Sequence, residues 1–242
     1  MSSKEVSPNT KLVRLELPSG TTAGLTVASC IVAKVEVDGK TVVRPYTPVS
    51  LNSQVGFVDL LVKAYPAPGG VMSRHIHALR PGVDSLEVKG PFKKIPYQAN
   101  MKKRIGMIAG GTGVTPMLQI IRQILSNPAD STEVSFIFAN VTEKDILLRE
   151  ELDALSYLFP NFKVYYTLDK PPQGWKGGSG FVSKEMIKAH LPPPGPDSLV
   201  LVCGPKGMVE MVAGPKGSKD SQGDLSGLLA ELGYEASQVY KF

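Results

Sequence analysis

The chain has 242 residues, of which 42% are hydrophobic and 20% are charged, and its formal net charge is 27 − 22 = +5. This composition excludes a disordered or fibrous chain and favours one large or two medium-sized globular domains. No apolar run approaches the roughly 20 residues of a membrane span, and the first residues contain no signal-peptide core. Cys30 and Cys203 sit in apolar runs, which is typical of reduced core residues in an intracellular protein, and two cysteines cannot hold an iron–sulfur cluster.

The basic residues form small clusters and lack the aromatic-interleaved stripe of a nucleic-acid surface, so we expect no nucleic-acid partner. Two interpretations stay open: a plain solvated face, or a surface for an acidic protein partner. The clustered residues are Lys93, Lys94, Lys102, Lys103, Arg104, Lys216 and Lys219.

The first half of the chain consists of short predicted strands separated by turns. Residues 11–17 alternate between apolar and polar side chains, as a half-buried strand does, and a Pro-Ser-Gly turn ends them. Short strands at such spacing predict a small antiparallel β-barrel over residues 1–98, followed by a linker over 99–104. The further predicted elements are strands at 27–37, 41–44, 57–65 and 86–88 and a short helix over 73–79.

From residue 105 the pattern changes to continuous apolar strands separated by helices. It indicates a parallel sheet with helices on both faces, a Rossmann-like α/β domain over 105–242. Ligands of such sheets bind beyond the carboxyl ends of the strands. A Gly-rich polar loop over 213–223 is expected to be mobile. The predicted strands are 105–109, 134–139, 164–167, 199–203 and 239–242, and the predicted helices are 116–125, 146–158, 184–190, 208–212 and 225–232.

The segment GGTGVTPM, residues 110–117, joins the first predicted parallel strand to the first helix of the second half. Its glycines expose backbone N–H groups at the positive end of the helix dipole, which is a site for a phosphate or another electron-rich ligand. It is not a P-loop, because no Gly-Lys-Ser/Thr closes it, and Pro116 replaces the third glycine of the standard dinucleotide fingerprint. A tight strand–helix turn without a ligand is the alternative interpretation.

The string RPYTPVS, residues 44–50, is the most informative of the first half. Its two prolines restrict the backbone, so Arg44 and Tyr46 project to the same side of an extended chain. An arginine beside a rigid aromatic ring suits a ligand that carries a phosphate and a flat ring. A turn with an ordinary surface arginine and a packing tyrosine has the same pattern, and this alternative stays open.

Downstream, period-two alternation puts Leu61, Lys63 and Tyr65 on one face of a strand. The segment GGVMS, residues 69–73, then offers glycine backbone, a hydroxyl and a helix start. These are the parts of a second phosphate cradle.

Four ordered motifs resemble the ferredoxin–NADP reductase superfamily and, within it, the NADH–cytochrome b5 reductases: RPYTPVS, GVMS at 70–73, GGTGVTPM, and CGPKGM at 203–208. The resemblance extends from about residue 7 to the last residue, and the long loop after CGPKGM is most similar to plant and algal members. It implies a six-stranded FAD-binding barrel followed by an NADH-binding domain. It also implies a flavoenzyme that takes a hydride from NADH and passes electrons singly to a haem protein.

The same resemblance assigns FAD contacts to named residues. Arg44 pairs with the FAD pyrophosphate, Tyr46 packs on the flavin ring, and Thr47 hydrogen-bonds near its N5 atom. Thr115 reaches the flavin from the second domain. The other FAD-side residues implied are Pro45, Leu61, Lys63, Tyr65, Val71, Met72 and Ser73.

On the NADH side, the resemblance places Cys203 close to the nicotinamide, and Phe242 closes the site. Asp169 and Phe181 lie near the adenosine end, where a carboxylate favours NADH over NADPH. The other NADH-side residues implied are Gly111, Thr112, Pro116, Gly204, Pro205 and Met208. The predicted catalytic residues are Thr47, Lys63 and Cys203.

Two departures from the family pattern affect these expectations. Only residues 1–6 precede the segment that begins near Ser7, where the family usually has its first barrel strand. The barrel is therefore expected to lack a strand or to start late, and any N-terminal anchor to be absent. Val71 stands where many relatives have lysine, which removes a side-chain charge near the phosphates.

The remaining candidate sites are weaker. His75 and His77 are spaced i, i+2, which does not put them on one helix face, and His190 stands apart, so no metal site is expected. No histidine is placed beside Cys203 by the sequence, and a buried thiol is favoured there over a nucleophile.

We therefore expect an NADH–cytochrome b5 reductase with FAD and NADH as cofactors. Two alternatives remain: the flavin reductase module of a larger oxidoreductase of the nitrate-reductase type, or a redox-inactive binding module of the same fold. The expected partner is cytochrome b5 or a similar acidic haem protein, and the expected state is a monomer. The resemblance suggests an intracellular, membrane-associated protein held at the endoplasmic reticulum or a mitochondrial membrane by an anchor absent from this otherwise soluble chain.

Overall fold

The computed structural model of the chain describes every residue except Lys219 and Asp220. The backbone divides into two units, Met1–Tyr97 and Gln98–Phe242, and each is described by itself. Among the described residues no helix is long and apolar enough to cross a membrane. One predicted basic residue, Lys219, lies outside the described part of the chain.

Unit 1 contains six strands in two antiparallel sheets of three, with the orders β1-β2-β5 and β4-β3-β6, and one helix. The expectation that the barrel lacks a strand is wrong, because residues 2–7 form an edge strand that pairs with the next one. The elements are β1 Ser2–Ser7, β2 Thr10–Glu16, β3 Ser29–Val37, β4 Lys40–Tyr46, β5 Phe57–Lys63, α1 Val71–Ala78 and β6 Glu87–Lys93.

Alternation along the strands sorts the side chains of unit 1 into core and surface. Val58, Leu60 and Val62 of β5 point into one apolar cluster, where they meet Met72 and Ile76 of α1. The odd-numbered residues of β5 face the other way, because successive side chains of a strand alternate between its faces. The single helix thus closes the core against one face of β5.

Unit 2 contains a six-stranded parallel sheet of order β10-β9-β8-β7-β11-β12, so the predicted succession of an antiparallel β domain and a Rossmann-like α/β domain is confirmed. The sheet order reverses next to β7, where ligands of open parallel sheets bind. The strands are β7 Arg104–Gly110, β8 Glu133–Asn140, β9 Phe162–Leu168, β10 Gly178–Ser179, β11 Ser198–Cys203 and β12 Val239–Lys241. The helices are α2 Val114–Ser126, α3 Arg149–Leu158, α4 Lys184–His190, α5 Lys206–Ala213 and α6 Gly227–Glu231.

Both faces of the parallel sheet are covered. Ile108 of β7 and Val202 of β11 share one core cluster with residues of α4, α5 and α6. Their chain neighbours Ala109 and Cys203, which pair across the two strands, therefore face the opposite side. We call the first side the α5 face.

Two helix starts and one short strand differ from the sequence predictions for local reasons. The helix predicted from residue 146 begins at Arg149, because Leu148 adopts a left-handed conformation with φ 58°. The helix predicted from Ser73 begins at Val71, directly after Gly70 with φ 62°. The two-residue strand β10 was not predicted, since a strand that short has no periodicity.

Candidate functional site

Two glycine motifs meet at the carboxyl edge of the parallel sheet. β7 ends at Gly110 and leads through a 3-10 turn, Gly111–Gly113, into α2. A Cβ added to Gly113 would lie 2.2 Å from the carbonyl oxygen of Cys203, at the end of the neighbouring strand β11. A Cβ added to Gly204 would lie 3.0 Å from the nitrogen of Gly110. The two motifs therefore pack backbone against backbone, which only glycine permits.

The start of α2 is suited to an anionic ligand. No side chain caps the helix and no acidic residue lies in its first turn, so no carboxylate there neutralises the positive end of its dipole; the N–H of Val114 is already bonded to the carbonyls of Gly111 and Thr112. Gly111 has φ 52°, and a Cβ there would meet nothing within 4 Å, which leaves room at the turn. The hydroxyl of Thr115 donates to the carbonyl of Thr112 at 3.1 Å, and both Thr115 and Pro116 are buried. These features fit the phosphates of a dinucleotide.

Cys203 ends β11, and Phe242 directly follows the neighbouring strand β12 at this edge. The N–H of Phe242 donates to the carbonyl of Val202 at 3.0 Å, and Val202 pairs with Lys241, so Cys203 and Phe242 point away from the α5 face together. Cys203 is partly exposed as a residue, but burial of its sulfur raises the pKa of the thiol to about 12, and the nearby cation of Lys216 lowers it only in part. A neutral thiol is therefore the form present at neutral pH.

Asp169 and Phe181 lie beyond the ends of the paired strands β9 and β10. The N–H of Asp169 donates to the carbonyl of Asn140 at 3.0 Å, and the N–H of Gly180 donates to that of Leu168 at 2.8 Å. Partial burial raises the pKa of the Asp169 carboxyl, and the charge of Lys170 opposes the shift. Phe181 is 70% exposed, which is unusual for phenylalanine and leaves its ring free to stack on a flat ligand.

The sequence analysis did not single out Asn140, although the structure places it at the same edge. It is the last residue of β8 and is 6% exposed. Both polar atoms of its amide are buried without a hydrogen-bond partner among the described residues. Buried amides are almost always paired, so this one is either a contact for a ligand or a water site. An asparagine closing an apolar strand was the available signal.

A second constellation forms in unit 1 around Tyr46. Arg44 and Tyr46 lie on one side of β4, and burial raises the pKa of the Tyr46 phenol to about 12. The charge of Arg44 lowers that pKa and the charge of Tyr65 raises it, so all three side chains are close enough to interact. The guanidinium of Arg44 is exposed, donates to the carbonyl of Val43 at 2.7 Å, and pairs with no carboxylate of the described residues. It is free to pair with a phosphate.

The start of α1 lies against Tyr65. The N–H of Tyr65 donates to the hydroxyl of Ser73 at 3.3 Å, and that hydroxyl donates to the carbonyl of Gly70 at 3.0 Å. A Cβ added to Gly70 would lie 2.4 Å from the carbonyl oxygen of Tyr65. The helix has no side-chain cap, so its first N–H groups are available to a pyrophosphate.

The structure separates the other predicted FAD-side residues by environment. Met72 is buried in the core cluster, so its side chain packs inside the protein and only its backbone can serve a ligand. Leu61 is buried on the face of β5 away from that cluster, and Lys63 on the same face is partly exposed. The remaining predicted residues are Thr47 and Val71, which are partly buried, and Pro45, which is exposed.

Some of the basic residues lie away from the glycine motifs. Lys102, Lys103 and Arg104 precede or begin β7, so they stand at the amino edge of the parallel sheet, opposite to Gly110. Lys103 pairs with Asp197 at 2.8 Å, and Lys102 donates to the carbonyl of Pro196. These three residues therefore lie at the edge of the parallel sheet opposite to the glycine motifs, and both interpretations of the basic clusters stay open. The open cavities at the amino edge contain none of the predicted site residues.

Comparison with known families gives two matches that together cover most of the chain. The family model of the oxidoreductase FAD-binding domain matches residues 1–97. The family model of the oxidoreductase NAD-binding domain matches residues 107–214. The first match coincides with unit 1 and the second lies within unit 2.

Individual relatives agree with the family models. The chain is 50% identical over 243 residues to an NADH-cytochrome b5 reductase-like protein of Arabidopsis thaliana, covering 98% of this chain and 73% of that one. It is 50% identical over 244 residues to NADH-cytochrome b5 reductase 2 of Botryotinia fuckeliana, with 99% and 70% covered. Among solved structures, the cytochrome b5 reductase domain of Ulva prolifera nitrate reductase is 35% identical with a TM-score of 0.86, and the match covers 100% of this chain and 94% of that one.

Proposed function

The chain belongs to the NADH-cytochrome b5 reductase family of FAD- and NAD-binding oxidoreductases, and from this premise we propose that it oxidises NADH and passes the electrons to cytochrome b5. The observation that carries the proposal is the joint presence of two uncapped helix starts, one in the FAD-binding unit and one in the NAD-binding unit. In unit 1 the helix start accompanies an arginine that pairs with no carboxylate of the described residues and a tyrosine, and in unit 2 it follows a glycine turn at the sheet edge where Phe181 is exposed.

In unit 1, Arg44 and the first N–H groups of α1 bind the FAD pyrophosphate, and Tyr46 packs against the flavin ring. The support is the free guanidinium of Arg44 and the open helix start beside Tyr65. Ser73 acts indirectly, because its hydroxyl already holds the Tyr65 backbone. Further contacts are proposed for Pro45, Thr47, Leu61, Lys63, Val71 and the backbone of Met72.

In unit 2, the turn at Gly111 and Thr112 binds the NADH pyrophosphate through backbone N–H groups, with Pro116 and Thr115 shaping the start of α2. Asp169 bonds a ribose hydroxyl and Phe181 stacks on the adenine. Cys203 and Phe242 contact the nicotinamide end. Gly204, Pro205 and Met208 hold the Cys203 backbone against the turn, as their close approach to Gly110 supports.

When bound, FAD would supply the redox chemistry, namely acceptance of a hydride from NADH and release of single electrons. The protein orients the cofactors and excludes water. Cys203 contributes packing, because its raised pKa keeps the thiol protonated and therefore a poor nucleophile at neutral pH. No proton has to be removed by a general base in a hydride transfer.

Spectroscopy of the purified protein tests this function. We expect a yellow protein whose flavin absorption bleaches on anaerobic addition of NADH and returns when ferric cytochrome b5 is added. Flavin that stays oxidised with NADH would overturn the proposal and favour the redox-inactive binding module. Bleaching by NADH without electron transfer to cytochrome b5 would support the NADH-oxidising activity and contradict cytochrome b5 as the acceptor.

For the acceptor, we propose that an acidic face of cytochrome b5 meets basic residues of unit 1, among them Lys93 at the end of β6 and the adjacent Lys94. Opposite charges raise the encounter rate by roughly 10- to 1,000-fold, and salt screens the effect over about 8–10 Å. Reversing both lysines to glutamate should raise the KM for cytochrome b5 at low salt and leave ferricyanide reduction nearly unchanged. Reversing Lys163 and Lys188, two exposed lysines of unit 2, is the matched control for net charge. Equal effects of both reversals would reject a specific docking face.

The similarity to the Ulva prolifera nitrate reductase domain favours a second candidate, a flavin reductase module within a larger oxidoreductase. The two candidates differ in how the haem acceptor is supplied. A free reductase turns over many molecules of added cytochrome b5, whereas a module works best when its haem domain is fused to it. Tethering alone raises the local concentration of the haem domain. A rate of haem reduction in the fusion that exceeds the rate of the free pair by more than this increase in concentration would favour the module.

Oligomeric state and location remain proposals as well. We propose that the protein is monomeric and intracellular. We also propose, on the basis of its family, that it works at the endoplasmic reticulum or a mitochondrial membrane. Sedimentation of the purified protein tests the monomer, and fractionation of cells with an antibody against the native protein tests the location.

A further inference from the structure

The penultimate residue of the sequence, Lys241, is a buried lysine. Its side chain is 2% exposed and points to the α5 face, because its neighbour Val239 lies in the core cluster of that face. Its ammonium donates to the carbonyl oxygens of Ala213 at 3.2 Å, Pro215 at 3.0 Å and Asp224 at 3.0 Å. An ammonium has three N–H donors, and all three are used.

The acceptors of this ammonium are backbone atoms. No carboxylate of the described residues accepts a hydrogen bond from it, although the charge of Asp224 lies close enough to affect it. Burial lowers the pKa of Lys241, Asp224 raises it, and Lys216 lowers it. Ala213 ends α5, so the negative end of that helix dipole also faces the ammonium. A buried charge is expensive, and here it serves to hold backbone in place.

The backbone held in this way belongs to the segment between α5 and α6, of which the structure describes residues 214–218 and 221–226; we call these described residues the 214–226 loop. A second tie comes from the loop itself, since the N–H of Lys241 donates to the side chain of Gln222 at 2.6 Å. A Cβ added to Gly223 would lie 2.5 Å from the carbonyl oxygen of Pro215, so the two ends of the loop are in close contact. The loop is thus folded around the ammonium.

The residue that directly follows Lys241 is a predicted site residue. Lys241 faces α5, and Phe242, one position beyond the end of β12, faces the opposite side together with Cys203. The carbonyls of Pro215 and Asp224 in the loop accept from the Lys241 ammonium. Lys241 therefore links the loop to the residue that precedes Phe242.

We propose that Lys241 is a positioning residue, whose ammonium ties the 214–226 loop to β12 and thereby fixes Phe242 and Cys203 at the carboxyl edge of the sheet. This inference rests on the proposed function, in which these two side chains contact the nicotinamide. Lys241 itself touches neither cofactor. Its loss should misplace the reacting end of NADH while leaving the pyrophosphate and adenosine contacts in place.

The test uses Lys241→Met, which keeps the length of the side chain and removes the charge. In stopped-flow reduction with NADH, we expect the limiting rate of flavin reduction per bound flavin to fall about tenfold, since small misplacements are costly for a positioned reaction. The apparent Kd for NADH should change by less than about threefold, because the other NADH contacts are intact. Limited trypsin digestion should cut the loop faster.

Three further variants separate positioning from stability. Asp224→Asn removes a nearby charge that favours the ammonium but keeps the backbone carbonyl that Lys241 uses, so its effect should be much smaller than that of Lys241→Met. Gln222→Ala should reproduce part of the Lys241→Met effect, and Lys241→Arg should restore part of the rate. If Lys241→Met fails to fold, these last two variants still test the tie.

The failures are distinguishable. A loop that is cut faster while the limiting reduction rate stays at the wild-type value would overturn the positioning role and leave the proposed function intact. An unchanged rate of loop cleavage would overturn the tie itself. Wild-type protein that is not reduced by NADH would overturn the proposed function, while the digestion assay would still report on the tie.

Discussion

The two helix starts that form the candidate cofactor sites are built in opposite ways. At α1, Gly70 has φ 62° and a Cβ there would lie 2.4 Å from the carbonyl of Tyr65, so the glycine is enclosed by protein. In the turn that precedes α2, Gly111 has φ 52° and a Cβ would meet nothing within 4 Å, whereas Gly113 packs against the backbone of Cys203. Unit 1 supplies charge through the Arg44 side chain, whereas unit 2 leaves Gly111 open to a ligand and supplies backbone alone.

The comparison teaches how each site should respond to mutation. A site that depends on side chains is damaged when one is removed. A site that depends on close backbone packing is damaged when an atom is added. The two units therefore call for opposite substitutions.

The largest effect is expected for Gly113→Ala in unit 2. Gly113 has an ordinary helical φ of −62°, so alanine is allowed by the backbone, but its Cβ would lie 2.2 Å from the carbonyl oxygen of Cys203. We expect a loss of about 3 kcal/mol in the free energy of unfolding, because backbone cannot move aside cheaply. Denaturant unfolding measures it, and reduction of flavin by NADH should be lost in parallel.

Gly207→Ala is the matched control for this change. Gly207 lies in α5 and has open space around its Cα. The substitution should therefore raise the free energy of unfolding of the protein by about 1 kcal/mol. A Gly113→Ala protein as stable as the control would show that the two glycine motifs do not pack as described.

The next effect belongs to unit 1. Arg44→Ala should remove a charge-assisted contact of about 1.5–3 kcal/mol, which weakens FAD binding roughly 10- to 100-fold. Flavin retained after gel filtration and dilution measures the change. Arg74→Ala is the control, because the Arg74 guanidinium donates to backbone carbonyls of Gly69 and Tyr65 and stays on the protein. Wild-type flavin retention in Arg44→Ala would place the pyrophosphate elsewhere.

Cys203→Ser should change catalysis more than binding. The variant should keep FAD and slow flavin reduction by about tenfold, since a smaller, more polar group replaces a packed sulfur. Because burial raises the thiol pKa to about 12, wild-type Cys203 should stay protonated at pH 8 and react slowly with iodoacetamide until the protein is unfolded. Mass spectrometry of the labelled cysteine checks this. Rapid labelling of the native protein at pH 8 would contradict a neutral thiol.

The smallest effect is expected at the exposed rim of unit 2. Asp169→Thr should shift the ratio of kcat/KM for NADH over NADPH toward NADPH by about five- to tenfold, because a carboxylate that repels a 2′-phosphate is removed. The adjacent Lys170 moderates the change, since its charge already opposes that of Asp169. Steady-state kinetics with both nucleotides, with Lys170→Thr in parallel, measures the shift. An unchanged ratio for Asp169→Thr would remove this residue from the ribose site.

The sequence alone predicted the two-domain order and most strands correctly, because hydrophobic periodicity and glycine turns are local properties of the chain. The family followed from the resemblance of four motifs, two of which, at residues 110–117 and 203–208, supplied candidate site residues at separate places in the chain. Their contact across β7 and β11 follows from the order of strands in the sheet, which no local pattern contains.

The placement and environment of other residues depend on the tertiary structure alone. The sequence did not place Lys102 and Arg104 relative to the glycine motifs, and the parallel strands put these residues at the edge opposite to Gly110. It gave no reason to expect an unpaired amide at Asn140 or a buried ammonium at Lys241, since burial and hydrogen-bond partners depend on segments distant in the chain. Periodicity predicts on which face of a strand a side chain lies. Which groups that side chain contacts depends on the order and packing of the strands in the folded sheet.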